Sequence, residues 1–315
     1  MGTAFLFPGQ GSQAVGMGKA LDEAFPEAHA VFQDIDAALG QDLSELMFEG
    51  PEDELTLTAN AQPALMAVSL AATKALAGRG ITVANHADYL AGHSLGEYSA
   101  LAAGGAFDIA TAAKLLRTRG EAMQTAVPVG EGAMAAILNL DLAAVEEIAA
   151  KAAEGDVCEA ANDNAPGQVV ISGAKATVER AIELAKEAGA RRAIMLPVSA
   201  PFHCALMAPA ADAMRGALGQ ATIHAPAKPV VANVVATAIS EPDAIRVRLV
   251  EQVTGRVRWR ESVEWLAANG VDTFVEIGAG KALSGMVKRM VDGATVLNVA
   301  TPEDVERVAE HLTRA

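Results

Sequence analysis

The chain opens on a short apolar run, Thr3-Ala4-Phe5-Leu6-Phe7, stopped by Pro8-Gly9. That pattern predicts a buried strand entering a glycine loop. Residues 61–77 are rich in alanine and leucine, with Pro63 in the expected first turn and Gly78 beyond the end, and predict a long helix. Residues 89–91 read as a strand, and 95–103 and 109–123 as helices. Strands alternating with helices predict an α/β core, a largely parallel sheet covered on both faces.

From Gly132 to Val198 the rhythm changes. A strand at 133–138, a helix at 142–153, strands at 157–161 and 168–172, a helix at 176–188 and a strand at 193–197 follow one another. The order βαββαβ is the ferredoxin-like pattern. Pro128-Val129-Gly130 before it, and Pro197 with Pro201 after it, punctuate its edges. We therefore expect a small ferredoxin-like domain at 129–198, inserted into a large α/β domain made of 1–128 and 199–315. Strands at 229–235 and 273–277 return the chain to the main sheet, the second leading into Gly278-Ala279-Gly280 and a helix.

Composition narrows the picture. Half of the chain (51%) is hydrophobic but only 4% is aromatic, so Ala, Leu, Val and Ile must build the core. No uncharged run reaches the roughly 18–20 apolar residues of a membrane span, and Met1-Gly2-Thr3-Ala4 lacks the basic start of a secretory signal. A cytoplasmic address and no membrane partner are expected. The net charge of −15 repels nucleic acid, so an anionic ligand needs a local basic patch. Cys158 and Cys204 are too few for a disulfide framework or a zinc site, and no metal is expected.

Gly92-His93-Ser94-Leu95-Gly96 is a G-x-S-x-G between an expected strand and an expected helix. In that context a sharp turn exposes a nucleophilic serine, and the Leu95 N–H at the helix start can stabilise an oxyanion. The bland alternative is a glycine turn whose Ser94 caps the helix. A serine nucleophile needs a base. His29, His86, His224 and His311 sit in polar or terminal stretches, and the His93 side chain would point away from that of Ser94. His203 lies in the irregular apolar segment Ser199-Ala200-Pro201-Phe202-His203-Cys204, where the two domains rejoin and where sites commonly form. It is either the base or a core histidine with satisfied hydrogen bonds.

Gly9-x-Gly11-x-x-Ala14 matches a dinucleotide fingerprint, but Asp34 and Asp36, the acids about 20 residues on, fall within a helical pattern. A glycine-flanked Gln10 instead leaves its backbone N–H open to an oxyanion. Gly278-Ala279-Gly280-Lys281 lacks the earlier glycine of a P-loop. On the helix at 109–123, Arg119 projects about 60° from the apolar Leu116, nearer the buried side than Arg117. A buried arginine needs an anion, either a structural carboxylate or that of a substrate.

Together, Phe7-Pro8-Gly9-Gln10-Gly11-Ser12-Gln13, Gln62-Pro63-Ala64-Leu65, Gly92-His93-Ser94-Leu95-Gly96-Glu97, Arg119-Gly120, Asn164-Ala165-Pro166-Gly167-Gln168, Pro201-Phe202-His203 and Glu276-Ile277-Gly278 resemble the malonyl-CoA:acyl-carrier-protein transacylase family over almost the whole chain. The resemblance implies a hydrolase-like core with an inserted ferredoxin-like domain. It implies Ser94 as nucleophile, His203 as base, the Gln10 and Leu95 amides as oxyanion hole, and Arg119 on the malonyl carboxylate. It further implies that the Gln252 carbonyl orients His203 and that Asn162 lines the site. Many bacterial members carry Ser where this chain has Phe202, and the Phe-His pair resembles the malonyl-selective form of polyketide acyltransferase domains. Malonyl-CoA and acyl carrier protein would be the partners of a monomer without cofactor, serving fatty acid synthesis by a ping-pong route. A serine hydrolase or thioesterase would use the same serine and histidine, but its apolar acyl pocket would want no arginine. A noncatalytic carrier-binding module is the third reading. Two basic clusters, Arg246 to Arg260 and Lys281 with Lys288 and Arg289, are candidate docking surfaces for an acidic carrier.

Overall fold

The computed structural model describes residues 2–198 and 200–314. Ser199, expected to begin the return to the large domain, lies outside the described residues, as do Met1 and Ala315 at the expected outer limits. Among the described residues ten strands form two sheets: β1 (Gly2–Phe7), β2 (Tyr89–Gly92), β3 (Gly132–Leu138), β4 (Cys158–Ala165), β5 (Gln168–Ala174), β6 (Arg192–Met195), β7 (Val230–Ala232), β8 (Thr237–Ile239), β9 (Val271–Ile277) and β10 (Thr295–Val299). The larger sheet runs β10-β9-β1-β2-β7-β8, parallel except where β8 turns back on β7.

Strand β1 shows how this sheet is covered on both faces. Side chains alternate across a strand. Phe5 and Phe7 join the core built on the Thr58–Gly78 helix, while Ala4 and Leu6 pack with Trp259, Val263 and Leu266 on the other side. Aliphatic residues dominate both cores, as the low aromatic content requires. The helix at Thr58–Gly78 starts three residues before its expected start at 61, so Pro63 sits inside it and not in its first turn.

The second sheet is antiparallel in the order β4-β5-β3-β6, with the Leu142–Ala153 and Lys175–Glu187 helices between its strands in sequence. This is the ferredoxin-like unit that the alternation predicts. Ala135, Ile137 and Ile171 face its helices, whereas Met134 and Val170 belong to the large core, so the sheet is buried on both sides. Gly132 lies where an added Cβ would come within 2.4 Å of Pro201, so the entry to the small unit touches the exit. Strand β4 runs on to Ala165, past the expected end at 161, because Asn162 and Asp163 are held by backbone pairing. The Asp163 N–H reaches the Val257 carbonyl and the Val257 N–H that of Ala161, both at 2.9 Å, which ties the small sheet to the large unit.

Candidate active site

The G-x-S-x-G turn joins β2 to the Leu95–Ala103 helix. Both glycines are required by close approach: a Cβ on Gly92 would lie 1.9 Å from the Gly96 carbonyl oxygen, and one on Gly96 would lie 2.2 Å from that of Phe7. Ser94 is held at φ 54°, a left-handed conformation costing a side chain about 1–3 kcal/mol. Asn233, just past β7, holds the turn by accepting from the Ser94 N–H at 2.7 Å and donating to the Gly92 carbonyl at 2.7 Å. This role also ends β7 early, at Ala232 and not at the expected 235. Ser94 makes no side-chain capping bond to the helix. Its Oγ instead meets His203 Nε2 at 2.8 Å.

His203 is 3% exposed and, like Ser94, has positive φ, here 60°. Its Nδ1 donates to the carbonyls of Gln252 at 2.9 Å and Gly255 at 3.1 Å. Carbonyls only accept, so Nδ1 carries the proton and Nε2 turns a lone pair to the serine hydroxyl. Burial, then the Arg119 cation, pushes the imidazole pKa down to about 3, which keeps it neutral and able to accept a proton. Among the described residues no carboxylate bonds to the histidine; two backbone carbonyls fix its tautomer.

Arg119, in the Ile109–Thr125 helix, is 1% exposed. Gly120 beside it lets this helix approach the Thr58–Gly78 helix so closely that a Cβ there would sit 2.6 Å from Ala59 Cα. That approach brings Gln62 Oε1 to Arg119 Nη1 at 2.7 Å. Nη2 reaches Gln252 Oε1 at 2.9 Å and Ser94 Oγ at 3.1 Å. Every group accepting from this guanidinium is a neutral amide or hydroxyl, and Arg119 makes no salt bridge among the described residues. A buried cation beside a nucleophile and without a bonded carboxylate is a place for a ligand's carboxylate.

From Arg119 the hydrogen bonds continue to the glycine loop. Gln62 Nε2 donates to Thr58 Oγ1 at 3.1 Å, and Thr58 Oγ1 donates to Gln10 Oε1 at 2.9 Å. The loop presses on the serine turn, for a Cβ on Gly9 would meet the His93 carbonyl at 2.7 Å. The backbone N–H groups of Gln10 and Leu95 donate to no described residue, which leaves both free for an oxyanion.

Of the remaining candidates, Phe202 is buried in the large core directly before His203. Asn162 is buried on β4, opposite Val257, and its side chain makes no hydrogen bond to Ser94, His203 or Arg119. His93 turns from the serine to place Nε2 2.8 Å from Asn164 Oδ1. The residues that pattern alone does not single out are Gln62, Asn233 and Glu97. Asn233 is a buried polar side chain in an otherwise apolar stretch, a signal that could have marked it, while Gln62 and Glu97 stand inside the quoted motifs without a role that pattern assigns. Among the described residues no cluster of His, Cys, Asp and Glu could hold a metal, and no helix is long and apolar enough to cross a membrane.

The sequence model of the acyl transferase domain matches residues 4–309. The malonyl CoA-acyl carrier protein transacylase of Bacillus subtilis is 49% identical over 98% of this chain and 96% of its own length. The crystal structure of an acyl-carrier-protein-S-malonyltransferase from Bartonella henselae superposes with a TM-score of 0.97 at 54% identity, covering 99% of this chain and all of that one. A structure of a type II PKS acyl-carrier protein in complex with its malonyl-transacylase matches with a TM-score of 0.96 at 42% identity, over 99% of this chain and all of that one. With a serine–histidine pair of this geometry and likeness that runs the length of the chain, this protein belongs to the acyl transferase domain family, among the malonyl CoA-acyl carrier protein transacylases.

Proposed function

We propose that this chain moves a malonyl group from malonyl-CoA to the phosphopantetheine thiol of acyl carrier protein, through a malonyl ester on Ser94, in the service of fatty acid synthesis. The observation that carries this reading is the buried Arg119, bonded only to neutral groups, 3.1 Å from the Ser94 hydroxyl. It gives the acyl pocket a reason to prefer an acid.

In the first half-reaction His203 Nε2 takes the Ser94 proton as Oγ attacks the thioester carbonyl. The negative oxygen rests on the Gln10 and Leu95 N–H groups while Arg119 holds the distal carboxylate. The C–S bond breaks, CoA leaves with the proton from His203, and malonyl-Ser94 remains. In the second half the carrier thiol gives its proton to His203 and attacks the ester carbonyl. Ser94 leaves and recovers the proton. The Gln252 carbonyl orients the imidazole throughout, and Phe202 and Asn162 line the acyl site. No cofactor takes part.

We further assign the division into 1–128 with 199–315 and 129–198, a monomeric state, a cytoplasmic address, and no nucleic acid or membrane partner. For carrier docking, Lys281 and Lys288 are the better candidates. Both are exposed and make no salt bridge among the described residues, whereas Arg256, Arg258 and Arg260 hold Glu146, Glu261 and Asp163.

Intact mass spectrometry after mixing with malonyl-CoA tests the core of the reading. The expected result is a malonyl adduct on Ser94 that disappears when holo carrier protein is added, with malonyl-carrier formed in equal amount. Release of free malonate without transfer would mark a hydrolase, and absence of any adduct a noncatalytic module.

A further inference from the structure

Behind the Ser94–His203–Arg119 group lies a buried acid that the proposed chemistry does not use. Glu97, 1% exposed, sits in the first turn of the helix that follows Ser94. Its Oε2 accepts from Gln252 Nε2 at 2.8 Å and from the Asn233 N–H at 3.0 Å. Both donors belong to residues that hold the site. Asn233 fixes the Ser94 N–H, and Gln252 meets His203 through its carbonyl and Arg119 through its side chain.

The Gln252 amide has two orientations, and its surroundings admit one. Its Nε2 faces acceptors only: Glu97 Oε2, the Ser94 carbonyl at 3.0 Å and Asn233 Oδ1 at 3.4 Å. Its Oε1 faces the Arg119 guanidinium, which only donates. A flip would set oxygen against three oxygens and an amide N–H against a cation. The contact with Glu97 is the shortest of the three on the nitrogen. Burial pushes the Glu97 pKa up to about 7, against the lowering effect of its Asn233 and Gln252 hydrogen bonds and of Arg119. The acceptor role of Oε2 does not depend on that charge, because a protonated carboxyl keeps a carbonyl oxygen.

We propose that Glu97 is a positioning residue: it locks the Gln252 carboxamide so that Oε1 faces Arg119, and thereby holds the guanidinium where it selects a carboxylated acyl group. This rests on the reading that Arg119 receives the malonyl carboxylate. The prediction is a change in selectivity, which a merely structural acid would not produce.

The experiment compares acylation of Ser94 by malonyl-CoA and by acetyl-CoA, followed by intact mass on rapid quench, in the wild type, Glu97→Met, Glu97→Gln, Glu97→Asp and Arg119→Ala. Glu97→Met keeps the volume and loses the acceptor, and the malonyl-over-acetyl preference should fall about tenfold. A glutamine can turn its Oε1 to both donors, so Glu97→Gln should restore the preference to within about twofold of wild type. If Glu97→Met does not fold, Glu97→Asp serves in its place, because the shorter side chain withdraws the oxygen from Gln252; its preference should fall severalfold. An unchanged preference in a folded Glu97→Met or Glu97→Asp would overturn the proposal, as would equal slowing with both acyl groups. So would a Glu97→Gln that behaves like Glu97→Met. If Arg119→Ala loses the preference and the Glu97 variants keep it, only the Glu97 proposal falls. If Arg119→Ala itself keeps it, the malonate reading falls and takes Glu97 with it.

Discussion

Two groups of arginines in this molecule do opposite things. Arg256 and Arg260 lie along the seam between the units, where Arg256 donates to the Ala160 carbonyl and pairs with Glu146. Arg260 Nη2 lies 2.8 Å from the buried Asp163 carboxylate and also holds Glu264. Arg258, next to them, is taken by Glu261. Arg119 is more deeply buried than any of these, yet every acceptor bonded to it is neutral. An arginine that already holds a carboxylate is structure; one held in place by amides keeps its charge for an anion that arrives later. The local excess of arginine between 246 and 260, which reads as a docking patch, is largely neutralised by the neighbouring Glu251, Glu261 and Glu264 and by Glu146 and Asp163 brought in from the small unit.

The contrast depends on what stands next to Arg119, so the largest effect should come from Ser94. Ser94→Ala should abolish the malonyl adduct in intact mass spectra while the thermal unfolding curve stays close to wild type; a persistent adduct would dismiss the nucleophile. His203→Ala should slow both half-reactions by about 10²- to 10⁴-fold, measured separately by rapid quench, because one imidazole serves each. Slowing of the transfer half alone would refute a shared base.

Arg119→Ala should reduce malonyl-over-acetyl preference by about ten- to a hundredfold, the worth of a charge-assisted contact of roughly 1.5–3 kcal/mol. Arg260→Ala is the counterpart. It strands the Asp163 carboxylate and should cost about 1–3 kcal/mol in urea unfolding, with acyl preference unchanged. Should Arg260→Ala alter preference and Arg119→Ala only stability, the distinction between the two kinds of arginine is inverted.

A smaller effect separates the free cations from the paired ones. Reversing Lys281 and Lys288 to Glu should raise the apparent KM for carrier protein severalfold more than that for malonyl-CoA, and the difference should shrink as salt rises. Reversing Arg256 and Arg258 should leave the two KM values in their wild-type ratio. Last comes pH. With the His203 pKa pushed down to about 3 in the folded chain, its protonation cannot switch off acylation near pH 6.5, where a free histidine titrates. Single-turnover acylation should therefore hold down to about pH 5 on this account, and half-loss near 6.5 would show an imidazole in contact with water.

Much of this protein can be read from its residues in order. Apolar runs and their punctuation carry the parallel core and the βαββαβ insertion, because the periods of strand and helix are local properties. The serine turn is equally local, since two glycines and a serine must share five residues for backbones to approach so closely. Helical geometry alone places Arg119 toward the core. Strands β8 and β10, both at sheet edges, escape that reading because half-exposed strands of three and five residues carry little pattern. What only the tertiary structure decided is which polar groups meet. Asn162 does not bond to the catalytic pair, whereas Asn233 reaches Ser94 across 139 residues, Glu97 reaches Gln252 across 155 and Gln62 reaches Arg119 across 57. A hydrogen bond depends on distances of a few tenths of an ångström, set by packing across the whole fold. Sequence shows that Arg119 must find an anion; only the fold shows that, unlike Arg256, Arg258 and Arg260, it has no carboxylate bonded to it among the described residues.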